Sequence, residues 1–430
     1  MNSRGRIVWA ALAVLAAAGA AAAADWPQWR GPFFNGSTTE TDLPERWGPA
    51  ENVAWAADLP GPSGATPIVW GDHVFVSSAD GAAKRTWAIA LDRRDGRLLW
   101  KHETPGGFSN RQGNTAASPS PVTDGRRVVF TYGTGRMLAC DFDGRVLWRR
   151  DIPKDHGEFE TMWGYGSSPL LLQDRLYLPV LHGDHTRDEG VGESYLLAIA
   201  AADGKDVWKH VRPMAARRES RQAYTTPCPL ETAGGAQVVL AGGDCVTGHA
   251  PGDGRELWRS PPYNPGRITH WRTVVSPVAA AGLVVAAAPK GGGNFAVRIG
   301  PTGEAMEGWA WTLKENSPDV CTPLVYNGRM YILDGRAKVL QAVEPATGRV
   351  LWRGDLGGKA VFQASPTGAD GRIYCINLAG EAVVLAAGEE FKVLARIEMG
   401  GSGCRSSIAA ARGRLYVRTD TKLFAVGYSR

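Results

Sequence analysis

One short pattern recurs along the chain and limits its fold: a glycine followed four positions later by a tryptophan. Five copies are present, at residues 96–100, 144–148, 204–208, 254–258 and 348–352. In the fullest copies an Asp-Gly or Thr-Gly dipeptide separates two alternating apolar runs. Because glycine takes a positive φ at no steric cost, such a dipeptide predicts a hairpin turn. The pattern therefore predicts a series of β-hairpins, each with a tryptophan on its second strand.

A second motif marks the start of each unit: a Ser or Thr before a proline and an apolar run. Successive starts lie 41 to 58 residues apart, the interval of a four-stranded propeller blade. The sequence therefore predicts eight blades, with strands A to D in chain order. The motifs are Thr66-Pro67, Ser118-Pro119, Ser168-Pro169, Thr226-Pro227, Ser276-Pro277, Thr322-Pro323, Ser365-Pro366 and a degenerate Ser406-Ser407-Ile408.

The two ends of the repeat region complement each other. Residues 52–55 contain the tryptophan of a D strand but follow no A, B or C strand, whereas the last unit (strands near 405–408, 414–417 and 422–426) ends without a D strand. We expect the first strand to complete the last blade, which leaves no open sheet edge. The predicted fold is an all-β, eight-bladed β-propeller of four-stranded antiparallel blades. A seven-bladed ring with an irregular unit and an open solenoid are the alternatives.

The N-terminal residues have the composition of a leader. Arg4 and Arg6 precede an apolar, alanine-rich stretch, and Ala22-Ala23-Ala24 offers a cleavage site. We expect a signal peptide at 1–24, an extension at 25–51, a propeller at 52–430, and a periplasmic or secreted protein with no stable membrane span. A retained membrane anchor is the alternative. The net charge of +5 over 430 residues is too small to indicate nucleic-acid binding.

Six cysteines follow the leader, and none forms a Cys-x-x-Cys pair. This spacing argues against a zinc site and thioredoxin-like chemistry. An extracytoplasmic protein can form disulfides, but the sequence does not choose a pairing. We expect most of the thiols to be small buried residues in strands. The positions are Cys140, Cys228, Cys245, Cys321, Cys375 and Cys404.

The recurring tryptophans are interpreted as blade-to-blade packing residues rather than a sugar-stacking surface, because each has the same place in its unit. Trp309 and Trp311 compete for this place in blade 5, and Leu394 takes it in blade 7. The packing residues are Trp55, Trp100, Trp148, Trp208, Trp258 and Trp352.

Antiparallel pairing places the D-to-A and B-to-C loops on one side of the ring, which we call face one. These loops are long, whereas the turns on the opposite side, face two, are short. Long loops on a rigid scaffold favour binding, so we expect any site on face one near the axis. The candidates are Asn114, Trp163, Tyr165, His182, Asp184, His185, Tyr224, His270, Trp271, Arg272, Gln363 and Arg405.

Within that set, His182, Asp184 and His185 share one loop with further carboxylates. Imidazole and carboxylate groups suit Zn²⁺ or Mn²⁺, and carboxylates alone suit Ca²⁺. A solvated polar loop is the simpler interpretation, so these residues are weak metal candidates and no metal site is predicted. No catalytic residue can be assigned, since the chain has no nucleophile elbow, zinc-protease helix motif or phosphate-binding loop.

The unit Ala-x-Asp-x-x-Thr-Gly-x-x-x-Trp, nearly matched at residues 90–100 and 342–352, resembles the repeat of pyrroloquinoline-quinone (PQQ) propeller proteins. The resemblance extends over residues 52–428, and the segment at 25–31 resembles the start of many secreted bacterial members. The family includes quinoprotein dehydrogenases and non-catalytic scaffolds such as the lipoprotein BamB. For a dehydrogenase, it implies two adjacent cysteines over the cofactor, a Ca²⁺ site and a catalytic aspartate.

No two cysteines are adjacent here, and the blades are compact. We therefore expect an extracytoplasmic, non-catalytic and monomeric scaffold that needs no cofactor. Its loop-rich face would bind an envelope or extracellular protein, a peptide or a glycan. The alternative is a PQQ- and Ca²⁺-dependent dehydrogenase acting on an alcohol or a sugar.

Overall fold

The computed structural model describes residues 24–109, 113–400 and 402–428. Within these ranges the chain forms 32 strands, a short α-helix at Ile152–His156 and 3-10 turns at Arg218–Arg221 and Pro289–Gly291. The strands make eight four-stranded antiparallel sheets. The predicted all-β, eight-bladed propeller is therefore confirmed.

Seven blades are built from consecutive strands. Blade 1 consists of β2 (Ile68–Trp70), β3 (His73–Asp80), β4 (Arg85–Asp92) and β5 (Leu98–Glu103), and blade 2 of β6 (Val122–Thr123), β7 (Arg127–Thr131), β8 (Arg136–Asp141) and β9 (Val146–Asp151). Blade 3 consists of β10 (Leu170–Leu172), β11 (Arg175–Val180), β12 (Tyr195–Ala200) and β13 (Asp206–Val211), and blade 4 of β14 (Cys228–Thr232), β15 (Gly235–Gly242), β16 (Cys245–His249) and β17 (Glu256–Arg259). Blade 5 consists of β18 (Val278–Ala280), β19 (Leu283–Ala288), β20 (Gly293–Arg298) and β21 (Trp311–Leu313). Blade 6 consists of β22 (Leu324–Tyr326), β23 (Arg329–Asp334), β24 (Val339–Val343) and β25 (Val350–Asp355). Blade 7 consists of β26 (Thr367–Ala369), β27 (Arg372–Ile376), β28 (Glu381–Ala386) and β29 (Val393–Glu398).

Blade 8 is assembled from both ends of the chain. It combines β30 (Ala409–Ala411), β31 (Arg414–Arg418) and β32 (Lys422–Val426) with β1 (Val53–Asp58) as its outer strand. Trp55 lies opposite Ala425 in the β1–β32 register. The prediction that an N-terminal strand closes the ring is confirmed.

Two local assignments were wrong. The A strand of blade 8 begins at Ala409, not within 405–408, and the start motif of blade 2 is Ser120-Pro121 rather than Ser118-Pro119. In every blade the hydroxyl residue of the start motif precedes the A strand by two positions. Ser407 and Ser120 have this spacing, because the hydroxyl at this position accepts a hydrogen bond from the neighbouring blade.

The core lies between blades. β12 is almost entirely buried, whereas β13 is alternately exposed and partly buried along its length. Inner and middle strands are covered on both faces by neighbouring blades, which explains their continuous apolar sequence. The outer strand is half covered, and its buried positions hold the recurring tryptophan.

Six tryptophans link each blade to the next. Each indole Nε1 donates a hydrogen bond to a main-chain carbonyl in the C-to-D turn of the following blade, and in five of these turns the ring lies against the glycine of the repeat. The donor and acceptor pairs are Trp55–Arg93 at 2.8 Å, Trp100–Phe142 at 2.9 Å, Trp148–Ala201 at 3.0 Å, Trp208–Pro251 at 3.0 Å, Trp311–Pro345 at 2.9 Å and Trp352–Gly388 at 3.1 Å.

Blades 4 and 7 depart from this arrangement, and blade 5 follows it through the second of its two candidate tryptophans. Trp258 donates to Gln237 Oε1 of its own blade at 2.7 Å. In blade 5 the position belongs to Trp311, whereas Trp309 packs beside Phe295. In blade 7 Leu394 is partly buried against the core.

Described parts of the chain contain no disulfide: all six cysteines are buried and unpaired. Burial raises the pKa of Cys140, Cys228, Cys375 and Cys404 to about 12. These thiols are therefore protonated at neutral pH and act as small apolar packing groups.

Glycine is expected to be required at the repeat position for two reasons: the backbone has a positive φ, and the tryptophan ring occupies the space of a Cβ. Gly204 has a φ of +74°, and an added Cβ would lie 2.7 Å from the Trp148 ring. Gly282 has a φ of +71° with nothing within 4 Å. Gly282→Ala should lower the free energy of unfolding by about 1 kcal/mol through backbone strain alone. Gly204→Ala should cost a further ~2 kcal/mol from the clash. Urea denaturation of both variants tests this, and equal losses would contradict the packing role of Trp148.

Candidate functional site

Residues 24–43, here called the N-terminal strap, run around the inside of the ring at face two. Trp26 pairs with Val69 in blade 1. The strap then forms main-chain hydrogen bonds with Thr123 of blade 2, Val325 of blade 6 and Gly368 of blade 7. At blade 8 its Glu40 side chain accepts from the Gly413 main chain. It therefore covers the face-two end of the central channel. Sequence analysis treated this segment only as an extension and missed its position.

Arg30 holds the strap at its centre. Its side chain is 6% exposed, and its guanidinium donates to the carbonyls of Pro323 at 2.8 Å and Asn35 at 3.0 Å. Burial lowers the pKa of Arg30 to about 9. The guanidinium carbon also lies 5.6 Å from the ring centroid of Trp29, which faces the channel. A buried cation bonded to carbonyls thus fixes the aromatic floor of the channel.

The start motifs form a belt of hydroxyl groups around the channel. In seven of the eight junctions the main-chain N–H of one blade's hydroxyl residue donates to the side-chain oxygen of the next, at 2.8 to 3.1 Å. At the junction of blades 8 and 1, Ser406 Oγ donates to the Ala65 carbonyl at 2.8 Å. The belt members are Thr66, Ser120, Ser168, Thr226, Ser276, Thr322, Ser365 and Ser407.

Above Trp29 the channel widens into a funnel that opens on face one. It contains about 720 Å³ of empty space, part of it open to solvent. Five belt hydroxyls line its wall, and Asn114, Tyr224 and Gln363 line the upper part. Arg405 is the only charged lining residue among those the structure describes, and it donates to the Gly113 carbonyl at 2.6 Å.

The belt hydroxyls leave their own hydrogens available. Each lining hydroxyl oxygen accepts from a neighbouring blade, and in the described ranges none of the five donates to a protein acceptor. A hydroxyl in this state has one O–H to offer a ligand. The funnel wall is therefore rich in donors, and none of its described residues carries a carboxylate.

The predicted aromatic pair at the mouth of blade 3 is divided between rim and core. Trp163 lies at the rim, over Gly113, and its Nε1 donates to Glu219 at 3.1 Å. Tyr165 is 2% exposed, and its hydroxyl donates to the Pro179 carbonyl at 2.8 Å. Tyr165 thus caps the core, whereas the hydroxyl of Tyr224 accepts from the Trp163 main chain at 3.2 Å and supports the rim.

His182, Asp184 and His185 lie away from the funnel on the outer part of blade 3. His182 is buried, its Nδ1 accepts from the Glu160 main chain at 3.1 Å and its Nε2 donates to the Glu193 carbonyl at 3.0 Å. Both nitrogens are therefore engaged. Asp184 caps its own loop by accepting from the Thr186 main chain, and Arg187 lies 3.1 Å from it. His185 is exposed.

The cluster ahead of blade 5 forms an ion-paired rim outside the funnel. Arg272 pairs with Asp319 through two contacts of 3.0 and 3.1 Å. Trp271 packs against Gly292, and its main chain donates to Ser220 Oγ at 2.8 Å. His270 is exposed. Of the predicted funnel candidates, the structure brings Tyr224, Gln363 and Arg405 together with Asn114.

A second depression lies on blade 3, at the face-one loops. Its lining residues are His156, Glu158, Glu160, His182, Glu193 and Lys209. Glu160 is already engaged by Arg187 and the Gly192 main chain. No group of three His, Cys, Asp or Glu in the described ranges could hold a metal ion, here or in the funnel.

Burial of His182 predicts a pH effect on stability. Burial lowers the pKa of His182 below its ordinary value of 6.5, so the unfolded chain takes up a proton before the native protein does. Stability should therefore fall as the pH drops below 6.5. His182→Gln keeps an acceptor and a donor without titrating, and should lose less stability than the wild type between about pH 7.5 and about pH 5. The control is His185→Gln, at an exposed position, whose stability in urea denaturation should change with pH as that of the wild type does. If the stability of His182→Gln also changes with pH as the wild type's does, His182 is not the source of the pH effect.

Comparison with known proteins identifies the class. The family described as outer membrane protein assembly factor BamB matches residues 49–184, 84–310 and 306–426. The chain belongs to this family of PQQ-repeat β-propellers. A search of the described residues for a helix long and apolar enough to cross a membrane finds none.

Individual relatives include both enzymes and a scaffold. The chain is 26% identical over 182 residues to a polyvinylalcohol dehydrogenase from Pseudomonas sp, covering 41% of this chain and 26% of that protein. It is 29% identical over 167 residues to quinohemoprotein alcohol dehydrogenase ADH-IIG from Pseudomonas putida, covering 36% and 21%. The matches thus span about a quarter of these relatives' lengths. BamB from Moraxella catarrhalis shares the fold, with a TM-score of 0.60, 13% identity and coverage of 87% and 98%.

These relatives correct one expectation. The prediction that no cofactor is needed is wrong, since one relative is a quinohemoprotein. A PQQ and Ca²⁺ group would need metal ligands and a carboxylate base beside it. The funnel wall offers hydroxyls, amides and Arg405, with Trp29 below. These groups suit acceptor atoms of a ligand but do not supply the ligand set or base, so the lining does not fit the complete metal and quinone group.

Proposed function

We propose that this protein is an extracytoplasmic, non-catalytic propeller whose face-one funnel binds the carboxylate-bearing part of a peptide or glycan. The observation that supports this most directly is the funnel wall, where five belt hydroxyls with free O–H groups surround a cavity in which Arg405 is the single charged residue among the described lining residues. The family description, which concerns assembly of outer membrane proteins, and the predicted leader support the location.

The chemistry of the wall favours an anionic, acceptor-rich ligand. Hydrogen bonds to a charged partner are stronger than neutral ones, and a guanidinium can bond a carboxylate through two donors. A neutral ligand would satisfy the hydroxyls but would form no ion pair with Arg405. Trp29 offers an apolar floor on which a sugar ring or a side chain can stack.

A dehydrogenase acting on an alcohol or a sugar is the second candidate. The two enzymatic relatives favour it through their names alone, since each matches over less than half of this chain. The same funnel would be the site, and a substrate hydroxyl would need a base. In the described ranges the rim carboxylates Glu219 and Asp319 are already bound to Trp163 and Arg272.

Binding tests the first proposal. Oligogalacturonate and a glutamate-rich peptide should bind in titration calorimetry, and the neutral cello-oligosaccharide should bind more weakly. Arg405→Gln should weaken binding of the acidic probe about tenfold, equivalent to about 1.4 kcal/mol. Arg267→Gln, on an exposed face-one loop outside the funnel lining, is the matched control and should leave binding unchanged.

Absence of binding to both acidic probes, or equal effects of the two arginine variants, would overturn the proposal. The dehydrogenase candidate has its own assay. Protein incubated with PQQ and Ca²⁺ is mixed with a redox dye and a panel of alcohols and sugars, and substrate-dependent dye reduction would establish turnover.

A further inference from the structure

The carboxylate of Glu40, at the end of the strap, is buried without a cationic partner. Glu40 is 5% exposed. Its Oε1 accepts from the main-chain nitrogen of Ala24, and its Oε2 accepts from the main-chain nitrogen of Gly413 at 2.5 Å. No side-chain cation in the described ranges lies within 4.0 Å of it.

The nitrogen of Ala24 is held in place by the residues on either side of the contact. The Ala24 carbonyl accepts from the Arg412 main chain at 3.2 Å. Asp25 forms two contacts with the Arg412 guanidinium, at 2.8 and 3.0 Å, and accepts from the Gly71 main chain at 3.0 Å. Trp26 is paired with Val69. The strap therefore presents this one nitrogen to Glu40 in a fixed position.

The charges around this point do not balance. Asp25 and Glu40 are both carboxylates, and Arg412 is the cation that serves them, with its nitrogens bound to Asp25. Asp72, also near Arg412, has Arg93 as its own partner at 3.0 Å. A buried carboxylate without a counter-charge destabilises a protein considerably. One further positive charge at the Ala24 nitrogen would neutralise the group.

The sequence permits leader cleavage at the bond that would create this charge. The alanine run at 20–24 contains three overlapping Ala-x-Ala sites, so cleavage can follow residue 22, 23 or 24. Cleavage after residue 23 turns the Ala24 nitrogen into an α-ammonium. Cleavage after residue 24 removes that nitrogen, and an uncleaved chain keeps it as a neutral amide.

We propose that the mature protein begins at Ala24 and that its α-ammonium forms a buried ion pair with Glu40. The pair fastens the strap to blade 8 beside the A-to-B turn at Arg412 and Gly413. Removal of the leader thus supplies the charge that locks the face-two end of the ring, and the locked form exists only after processing. The inference rests on a cleavable leader, as the sequence predicts, but moves its last residue from 24 to 23, and it is independent of the function proposed for the funnel.

The first experiment identifies the end of the chain and the state of its amine. The protein is exported with its own leader, purified and measured by intact mass and N-terminal sequencing, with Ala24 expected as the first residue. A brief treatment with acetic anhydride near neutral pH ordinarily modifies an α-amine readily, because its pKa is lower than that of lysine. Here the α-amine should be protected several-fold in the folded protein and reactive after denaturation, with lysine acetylation as the internal control. A chain that begins elsewhere, or a fully reactive α-amine in the folded protein, would overturn the proposal.

The second experiment measures the coupling between the two charges. Three chains that begin at Ala24, at Asp25 and one residue upstream of Ala24 are released from a removable fusion domain. The Ala24 chain should have the highest melting temperature, by about 5 °C. Glu40→Gln should abolish that advantage, and Glu51→Gln, at an exposed position, should not. Equal melting temperatures for the three chains with Glu40 intact would refute the ion pair. This comparison does not need the Glu40→Gln variant, so it can be made even if that variant fails to fold.

Discussion

Pairing of β1 with β32 is the contact on which the rest of the molecule depends. Each blade buries its two faces against its neighbours, so an open ring would expose the apolar faces of the first and last blades to water. β1 closes the gap and carries Trp55, whose indole reaches the turn of blade 1. The closing strand therefore provides both the missing sheet edge and the first inter-blade contact.

The two faces of the closed ring have different chemistry. At face two, short turns meet the strap, and Arg30 bonds carbonyls of blades 6 and 7. At face one, long loops surround a funnel whose floor is Trp29. The strap covers one end of the channel, and the hydroxyl belt lines the channel between the strap and the open end on face one. The same belt residues thus stabilise the junctions and define the donor groups of the site.

The family supplies two precedents for such a ring, a BamB scaffold and alcohol dehydrogenases. Here the wall provides donors and one guanidinium, whereas the carboxylates of the rim are committed to Trp163 and Arg272. This distribution of charge is the basis of the proposal that the funnel binds an acidic group.

The sequence by itself determined the blade count, the closing strand and five of the six linking tryptophans, because these features repeat with local spacing and follow from turn and strand chemistry. It also located the long loops, and with them Tyr224, Gln363 and Arg405. It did not reveal that Tyr165 and His182 are buried, since burial depends on what packs over a loop. Only the tertiary structure decided the path of the strap, the hydroxyl belt and the contact between Ala24 and Glu40. These join residues up to several hundred positions apart, such as Arg30 and Pro323, and no local pattern records a contact that exists only once the ring has closed.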